Sequence, residues 1–384
     1  MVPLAGAVGL VCLVGVGVYA FADSGGGCGG SDAINLKVAV AKEMAPAVND
    51  TAQDFNSQKH DVAGKCVHAS VYVADPAAVT TLLSGQGVSE GQTSQPDVWI
   101  PDSSLWADLV VSTPKGKNAV HPTNTSLAKT PLVVAMPKPL IERLAKTGIL
   151  TSPSWDNLLT AAGGMPGGAV TKNQTLPANL IRLTVPDPVH TATGMSALML
   201  TNELLASDPN KNTIFTGIVR TVQHAITPTV GAALTDFKPN ARGQYPVALA
   251  TEQAVWQHNQ GNPPDPAVAV YPTEGSTMLD YPFEVTTADS TKAQAAALLQ
   301  KAMSSANMQN RVRQLGFRTP DGQAPSSYGQ ATGVNPARPR ELPEPNAGTA
   351  AQVMQAWAKL SLSIKMLTVF DVSNTMEAPV PNTN

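Results

Sequence analysis

Charged side chains supply only 14% of this 384-residue chain, against roughly 25% in an average soluble protein. The little charge present is nearly balanced, with 25 Lys and Arg against 28 Asp and Glu for a net of -3. No excess of basic residues is available to neutralise phosphates, so nucleic acid is not an expected partner. Enzyme signatures are lacking as well: no G-x-S-x-G, Walker A or Rossmann fingerprint occurs. The six histidines (His60, His68, His121, His190, His224, His258) show no paired metal-ligand spacing. The sequons at Asn49, Asn124 and Asn173 are adequately explained by chance. The sequence therefore points away from catalysis.

What is present is apolar and patterned. A hydrophobic fraction of 43% can build real cores, and a chain of this length suits two or three compact units. Residues 1–22 carry no charged side chain, and VPLAGAVGLVCLVGVGVYAFA is almost wholly apolar. About 20 such residues span a bilayer as a helix, and the many Gly and Val are tolerated there. A signal peptide would want a basic n-region, which Met1-Val2-Pro3 does not offer. The expectation is a single-pass cell-membrane anchor, with the remainder outside the cytoplasm. A Gly-rich spacer, 23–33, follows.

Cysteine is scarce, three residues in all, of which Cys12 lies in the apolar segment. Cys28 precedes a first strand-like run, INLKVAVA, and Cys66 opens the next, CVHASVYVA, with a helix-like stretch between. In a βαβ unit such strands run parallel and are often neighbours, which puts both cysteines at one edge of the sheet. A Cys28–Cys66 disulfide is the expectation in an oxidising compartment. Lipidation of Cys28 is the alternative, although Gly25 stands where a lipobox wants Leu.

Strand-like runs recur at PDVWIP, LVVAMP, IRLTVPDP and AVAVYP, separated by stretches readable as amphipathic helices. Alternation of this kind predicts an α/β fold with parallel sheets and ligands beyond the strands' carboxyl ends. From Gly322 the text becomes QAPSSYGQATGVNPARPRELPEPNAG, rich in Pro, Gly and Ser without periodicity. It reads as an unpacked linker.

Several phrases in order resemble bacterial periplasmic substrate-binding proteins of the type II class. They are PDVWIPDSSLW (96–106), TPLVVAMP (130–137), SWDNLL (154–159), VPDPVHTATGMSAL (185–198), YPVALATEQAVW (245–256), VYPTEGSTMLDYPFEV (270–285) and GFRTPDG (316–322). The resemblance implies two hinged lobes: 34–130 with 267–322 as lobe 1, and 131–266 as lobe 2. Pro131, Pro137 and Pro272 bracket the crossings, where a fixed φ suits short connectors. A small-molecule ligand would sit in the cleft, closed by hinge motion.

Candidate ligand residues cluster where strands empty into helices. Thr191, Thr193 and Gly194 in HTATGMS mark a helix start, where free N–H groups favour an oxyanion or carboxylate. Either threonine serves equally well as a helix cap. Ser103, Ser104 and Trp106 follow PDVWIP and resemble cleft hydroxyls, with capping and packing as the plainer roles. Lys42 and Glu43 stand where relatives carry small residues and serine, which speaks against a simple oxyanion. Thr251 and Glu252 could reach the cleft from lobe 2, with Glu252 pointing to a cationic or polyhydroxyl ligand. Tyr281 reads as hinge packing with its hydroxyl toward the cleft.

Near the end, after the linker 323–348, the run Met366–Phe370 empties into Asp371, Ser373 and Thr375. One carboxylate and two hydroxyls at a strand's carboxyl end are oxygen donors of the kind Mg²⁺ takes. The pattern resembles the DxSxS/T start of a von Willebrand factor A domain, so 349–384 reads as the beginning of such a Rossmann-like domain. The metal-dependent adhesion site would be incomplete without the family's later loops. Hence no cofactor is expected for these residues, and Mg²⁺ only with a complete domain. The combination resembles actinobacterial membrane proteins that join the two modules. It implies ligand sensing, adhesion or contact with a protein partner, with the substrate receptor of an ABC transporter as the alternative.

Overall fold

A computed structural model of the chain describes residues 33–87, 95–146, 154–155, 180–235, 237–343 and 347–361. The expected anchor 1–22, Cys28, and Asp371, Ser373 and Thr375 lie outside the described residues. Among those described, no helix is long and apolar enough to cross a membrane.

In chain order the structure runs β1 (Ile34–Val40), α1 (Ala45–Ser57), β2 (Asp61–Val62), β3 (Lys65–Val73), α2 (Pro76–Leu83), β4 (Val98–Ile100), α3 (Ser104–Val111) and β5 (His121–Pro137). It continues with α4 (Lys138–Lys146), β6 (Ile181–Pro186), α5 (Ala192–Leu204), α6 (Lys211–Val222), β7 (Ile226–Thr227) and α7 (Val230–Ala233). Next come β8 (Tyr245–Thr251), α8 (Glu252–Gln260), β9 (Ala267–Val270), β10 (Met278–Val285), α9 (Ser290–Met303), α10 (Ala306–Gln314) and α11 (Ala347–Leu360). This is a mixed α/β architecture, consistent with two lobes.

The sheet order is β2-β3-β1-β4-β10-β5-β8-β6-β7, with β9 also on β5. Strand β1 pairs in parallel with β3 and β4, and its apolar positions Leu36, Val38 and Val40 are fully buried. Helices α1, α9 and α10 cover that face through Phe55, Leu299 and Val312, as expected of a parallel sheet buried on both sides.

The long strand β5 joins the lobes. Up to Pro131 it pairs antiparallel with β10, where Met278 faces Pro131. From Leu132 onward its partners are β8 and β9. Proline lacks the N–H that a ladder needs on one side, which suits the point where one partner leaves and another begins. Strands β9 and β10 carry the chain back, so two extended crossings connect the two halves of the sheet.

Residues 319–343 have little regular structure, as their Pro and Gly content predicts, yet they are not an unpacked linker. Tyr328 and Val334 are buried in the lobe 2 cluster with Trp256 and Phe237. The Tyr328 hydroxyl donates to the Gly316 carbonyl at 2.6 Å, and Ala269 N–H donates to the Gly333 carbonyl at 2.7 Å. The Ser276 N–H donates to Arg340 and the Leu342 N–H to Ser276, both at 2.9 Å. Composition reports missing periodicity; it does not report which carbonyls a neighbouring strand will recruit.

Helix α11, within the stretch read as the start of a separate domain, packs on α3, α5 and α6. Ala350, Val353 and Trp357 are buried in a core cluster that holds Trp99 and Trp106 of lobe 1 and Leu198 and Phe215 of lobe 2. The helix thus belongs to the binding fold, because its i, i+3, i+7 apolar stripe finds a groove between the lobes.

Candidate functional site

Three neighbouring strands deliver side chains to one sheet edge. Val40 of β1 pairs with Ile100 of β4, so the turns carrying Glu43 and Asp102 emerge side by side. Strand β10 runs antiparallel on the far side of β4, with Glu284 facing Trp99, which brings Asp280 and Tyr281 to the same edge. The Asp280 carboxylate accepts from the Ser104 N–H at 2.9 Å and closes this arrangement.

Asp102 reaches across the cleft. Its Oδ1 accepts from Trp106 Nε1 at 2.7 Å, and its Oδ2 accepts from the Ala192 N–H of lobe 2 at 3.3 Å. Ala192 is the first residue of α5, whose N-terminus is where an oxyanion was expected. The protein's own carboxylate takes that seat. Thr191 caps the same helix, its hydroxyl accepting from the Gly194 N–H at 3.1 Å.

This edge is electrostatically unfavourable for so many acids. Burial first, then the charge of Glu43, pushes the Asp102 carboxyl up to about 7. Burial likewise raises Asp280. Desolvation raises the Glu43 carboxyl above the usual range, with a backbone hydrogen bond and Lys42 acting against it. Tyr281, only 3% exposed, is raised well above the ordinary phenol value by burial and by Glu43, Asp102 and Asp280. Deeper in lobe 1, burial and then Asp280 and Asp108 lift Glu284 to about 7.

Between the lobes lies a small, partly open cavity of about 40 Å³, bounded by Ser103 and Asp108 of lobe 1, Ser196 and Met199 of lobe 2, Thr277 just before β10 and Leu342 of the tail. A space of this size holds one or two waters or a small polar group. The Thr277 hydroxyl is buried there without a hydrogen-bond partner in the protein.

Of the residues singled out from sequence, Glu43, Ser104, Trp106, Thr191 and Tyr281 meet at this cleft, with exposed Lys42 beside Glu43. Ser103 caps α3 through the Leu105 N–H at 3.2 Å and lines the cavity. Thr193 is buried within α5. Gly194 answers to packing: a Cβ there would stand 2.1 Å from the Pro186 carbonyl oxygen. Thr251 caps α8 through the Ala254 N–H at 3.1 Å.

Glu252 does not face the cleft; it is fully buried. Arg318, equally buried, grips both its oxygens at 2.7 Å, and the Tyr271 hydroxyl donates to Oε1. The same guanidinium donates to the carbonyls of Asn335 at 2.7 Å and Ala337 at 3.0 Å. Glu252 therefore anchors the tail to the hinge. Cys66, at the head of β3, is disulfide-bonded.

Sequence reasoning missed Asp102 and Asp280. Asp102 stands directly after PDVWIP, one position ahead of the serines that drew attention. The signal was a carboxylate at a strand's carboxyl end. Asp280 and Glu284 interrupt the apolar strand MLDYPFEV, and a buried carboxylate asks for a partner.

The family profile described as bacterial extracellular solute-binding protein matches residues 36–318. No curated protein matches the sequence. Among solved structures, a periplasmic thiamin binding protein aligns with a TM-score of 0.55 at 13% identity, covering 87% of this chain and 96% of that one. Iron-bound HitA from Pseudomonas aeruginosa aligns at 0.56 and 11% identity, covering 86% and 100%. The substrate binding protein of an ABC transporter from Agrobacterium tumefaciens aligns at 0.54 and 11%, covering 87% and 96%.

Proposed function

The chain belongs to the bacterial extracellular solute-binding proteins, and on that footing we propose that it is the solute receptor of an ABC-type importer, holding a small molecule between its two lobes. The observation that carries this reading is the Asp102 carboxylate of one lobe accepting from the Ala192 N–H at the start of α5 in the other, with Glu43, Asp280 and Tyr281 near Asp102. A cleft at the carboxyl ends of strands, formed by two lobes on extended crossings, is where hinge closure traps a ligand. The Agrobacterium structure, named as an ABC transporter's substrate binding protein, supports this role over the adhesion role suggested by Asp371, Ser373 and Thr375. A membrane anchor at 1–22 and a Cys28–Cys66 disulfide complete the proposal: the receptor acts on the outer side of the membrane.

One observation favours a second reading, a closed scaffold that contacts another protein. Helix α11 is buried against α3 of lobe 1 and α5 of lobe 2, which opposes wide opening. Small-angle scattering with and without ligand separates the two. A receptor closes measurably on saturation, and a scaffold keeps one radius of gyration. Thermal-shift screening of small solutes tests the receptor directly, since a ligand at a hundredfold its Kd adds about 2.7 kcal/mol.

A further inference from the structure

We propose that the tail of this chain, residues 319–343 together with α11, is an intramolecular latch that fastens one lobe to the other. Its consequence for solute exchange rests on the receptor role proposed above; its mechanics rest on packing alone. The tail lies beyond residues 36–318, the part that the family profile matches, so the latch is additional to the matched fold.

The tail is held at its start and along its length. Arg318, paired with the buried Glu252, donates to the carbonyls of Asn335 and Ala337. Tyr328 and Val334 are buried beside Trp256. Further on, a bridge between Ser276 and Glu341 carries the tail past the segment that enters β10. Gly275 makes room for that approach: at φ +115°, a Cβ there would stand 2.8 Å from the Arg340 carbonyl oxygen. The Lys129 ammonium of β5 adds an ion pair to Glu341 at 3.6 Å.

Two contacts then span the lobes. Leu342 is one wall of the cavity whose other walls include Ser103 and Asp108 of lobe 1 and Ser196 and Met199 of lobe 2. Helix α11 lies against α3 of lobe 1 and against α5 and α6 of lobe 2. Its Ala350, Val353 and Trp357, all 4% exposed or less, share one core with Trp106 and Phe215. A buried stripe that touches both lobes cannot keep both contacts when they separate. Admitting a solute between the lobes needs such a separation. Opening therefore exposes part of the stripe to water, and that cost sets how rarely the cleft opens.

Site-resolved thiol labelling of the full chain tests the latch without any ligand. Ser196→Cys reports access to the space between the lobes. Ala296→Cys reports the lobe 1 core, whose described members include no tail residue. A methanethiosulfonate reagent, read by peptide mass, gives both rates in the parent and with Trp357→Ala or the milder Val353→Ala. The expected result is labelling at Ser196→Cys that is about tenfold faster or more with either change, while Ala296→Cys stays slow. An unchanged rate at Ser196→Cys in both backgrounds overturns the latch. Equal acceleration at both positions with Trp357→Ala marks loss of the whole fold, and Val353→Ala then decides. Equal acceleration with Val353→Ala as well overturns the latch, because α11 then supports the entire fold and not the closure. Failure of every solute in the thermal-shift screen counts against the receptor role instead, and these rates still judge the latch.

Discussion

Asp102 of the first lobe and Ala192 of the second are joined by one hydrogen bond, the carboxylate Oδ2 accepting from the first N–H of α5 at 3.3 Å. A helix N-terminus that would otherwise attract an anion is thereby satisfied from inside the protein. The bond also couples two properties usually treated separately, the closure of the cleft and the charge within it. Protonation of Asp102 weakens the charge at the helix end, while ionisation places a further negative charge beside Glu43.

The raised carboxyl makes a pH prediction with a definite sign. Asp102 titrates at about 7 in the folded chain and near 3.9 when unfolded. Between these values the native state holds more protons, so this residue's contribution makes stability fall as pH rises through the window and level off above about 7. The Asp102→Asn variant should lack that slope. Urea denaturation of both proteins from pH 4.5 to 8.5 measures it; a difference between them that stays constant with pH would refute the assignment.

Removing one member of the Glu252–Arg318 pair should be severe. Both side chains are fully buried, and Glu252→Gln leaves a guanidinium without its counter-charge, at a cost of about 3–5 kcal/mol. Chemical denaturation reads the loss. Ligand affinity of the fraction that remains folded should not change, which separates this anchoring role from the cleft role first expected of Glu252.

Trp357 is 4% exposed in the core shared by the two lobes. Truncation to alanine should cost about 3–5 kcal/mol and loosen the contact between α11 and the helices of both lobes. Scattering should register a larger radius of gyration for Trp357→Ala than for the parent. An unchanged melting temperature would show that the tail helix does not contribute to the fold.

Gly194 distinguishes packing from binding within HTATGMS. With a Cβ only 2.1 Å from the Pro186 oxygen and 2.8 Å from the Pro188 nitrogen, Gly194→Ala must push α5 off its strand. An overpacking cost of about 1–3 kcal/mol is expected, together with a lost or lengthened Asp102–Ala192 contact. Calorimetric unfolding measures the first, and the Asp102-dependent pH slope reports the second.

Much of this protein is local in origin and therefore legible as text. Alternating and continuous apolar runs mark β1, β3, β4, β5, β6 and β9, because burial on a sheet face repeats every two residues or on both faces. Thr191 and Ser103 announce helix starts, since a cap acts only two or three residues along the chain. The ordered phrases between residues 96 and 322 were enough to place the chain near the solute-binding proteins. Tertiary structure alone decided the rest. Glu252 and Arg318 are 66 positions apart, and nothing near either one says that they meet. Asp102 finds Ala192 across 90 residues, and Asp280 finds Ser104 across 176. The tail 319–343 looks unstructured by composition and is nonetheless held by a buried guanidinium and a hinge strand. Carboxylate charge, pKa and ligand preference arise from such long-range neighbours, because they depend on what desolvates a group and what stands opposite it. A sequence names the acids; only the packing of two lobes sets what desolvates them and what stands opposite.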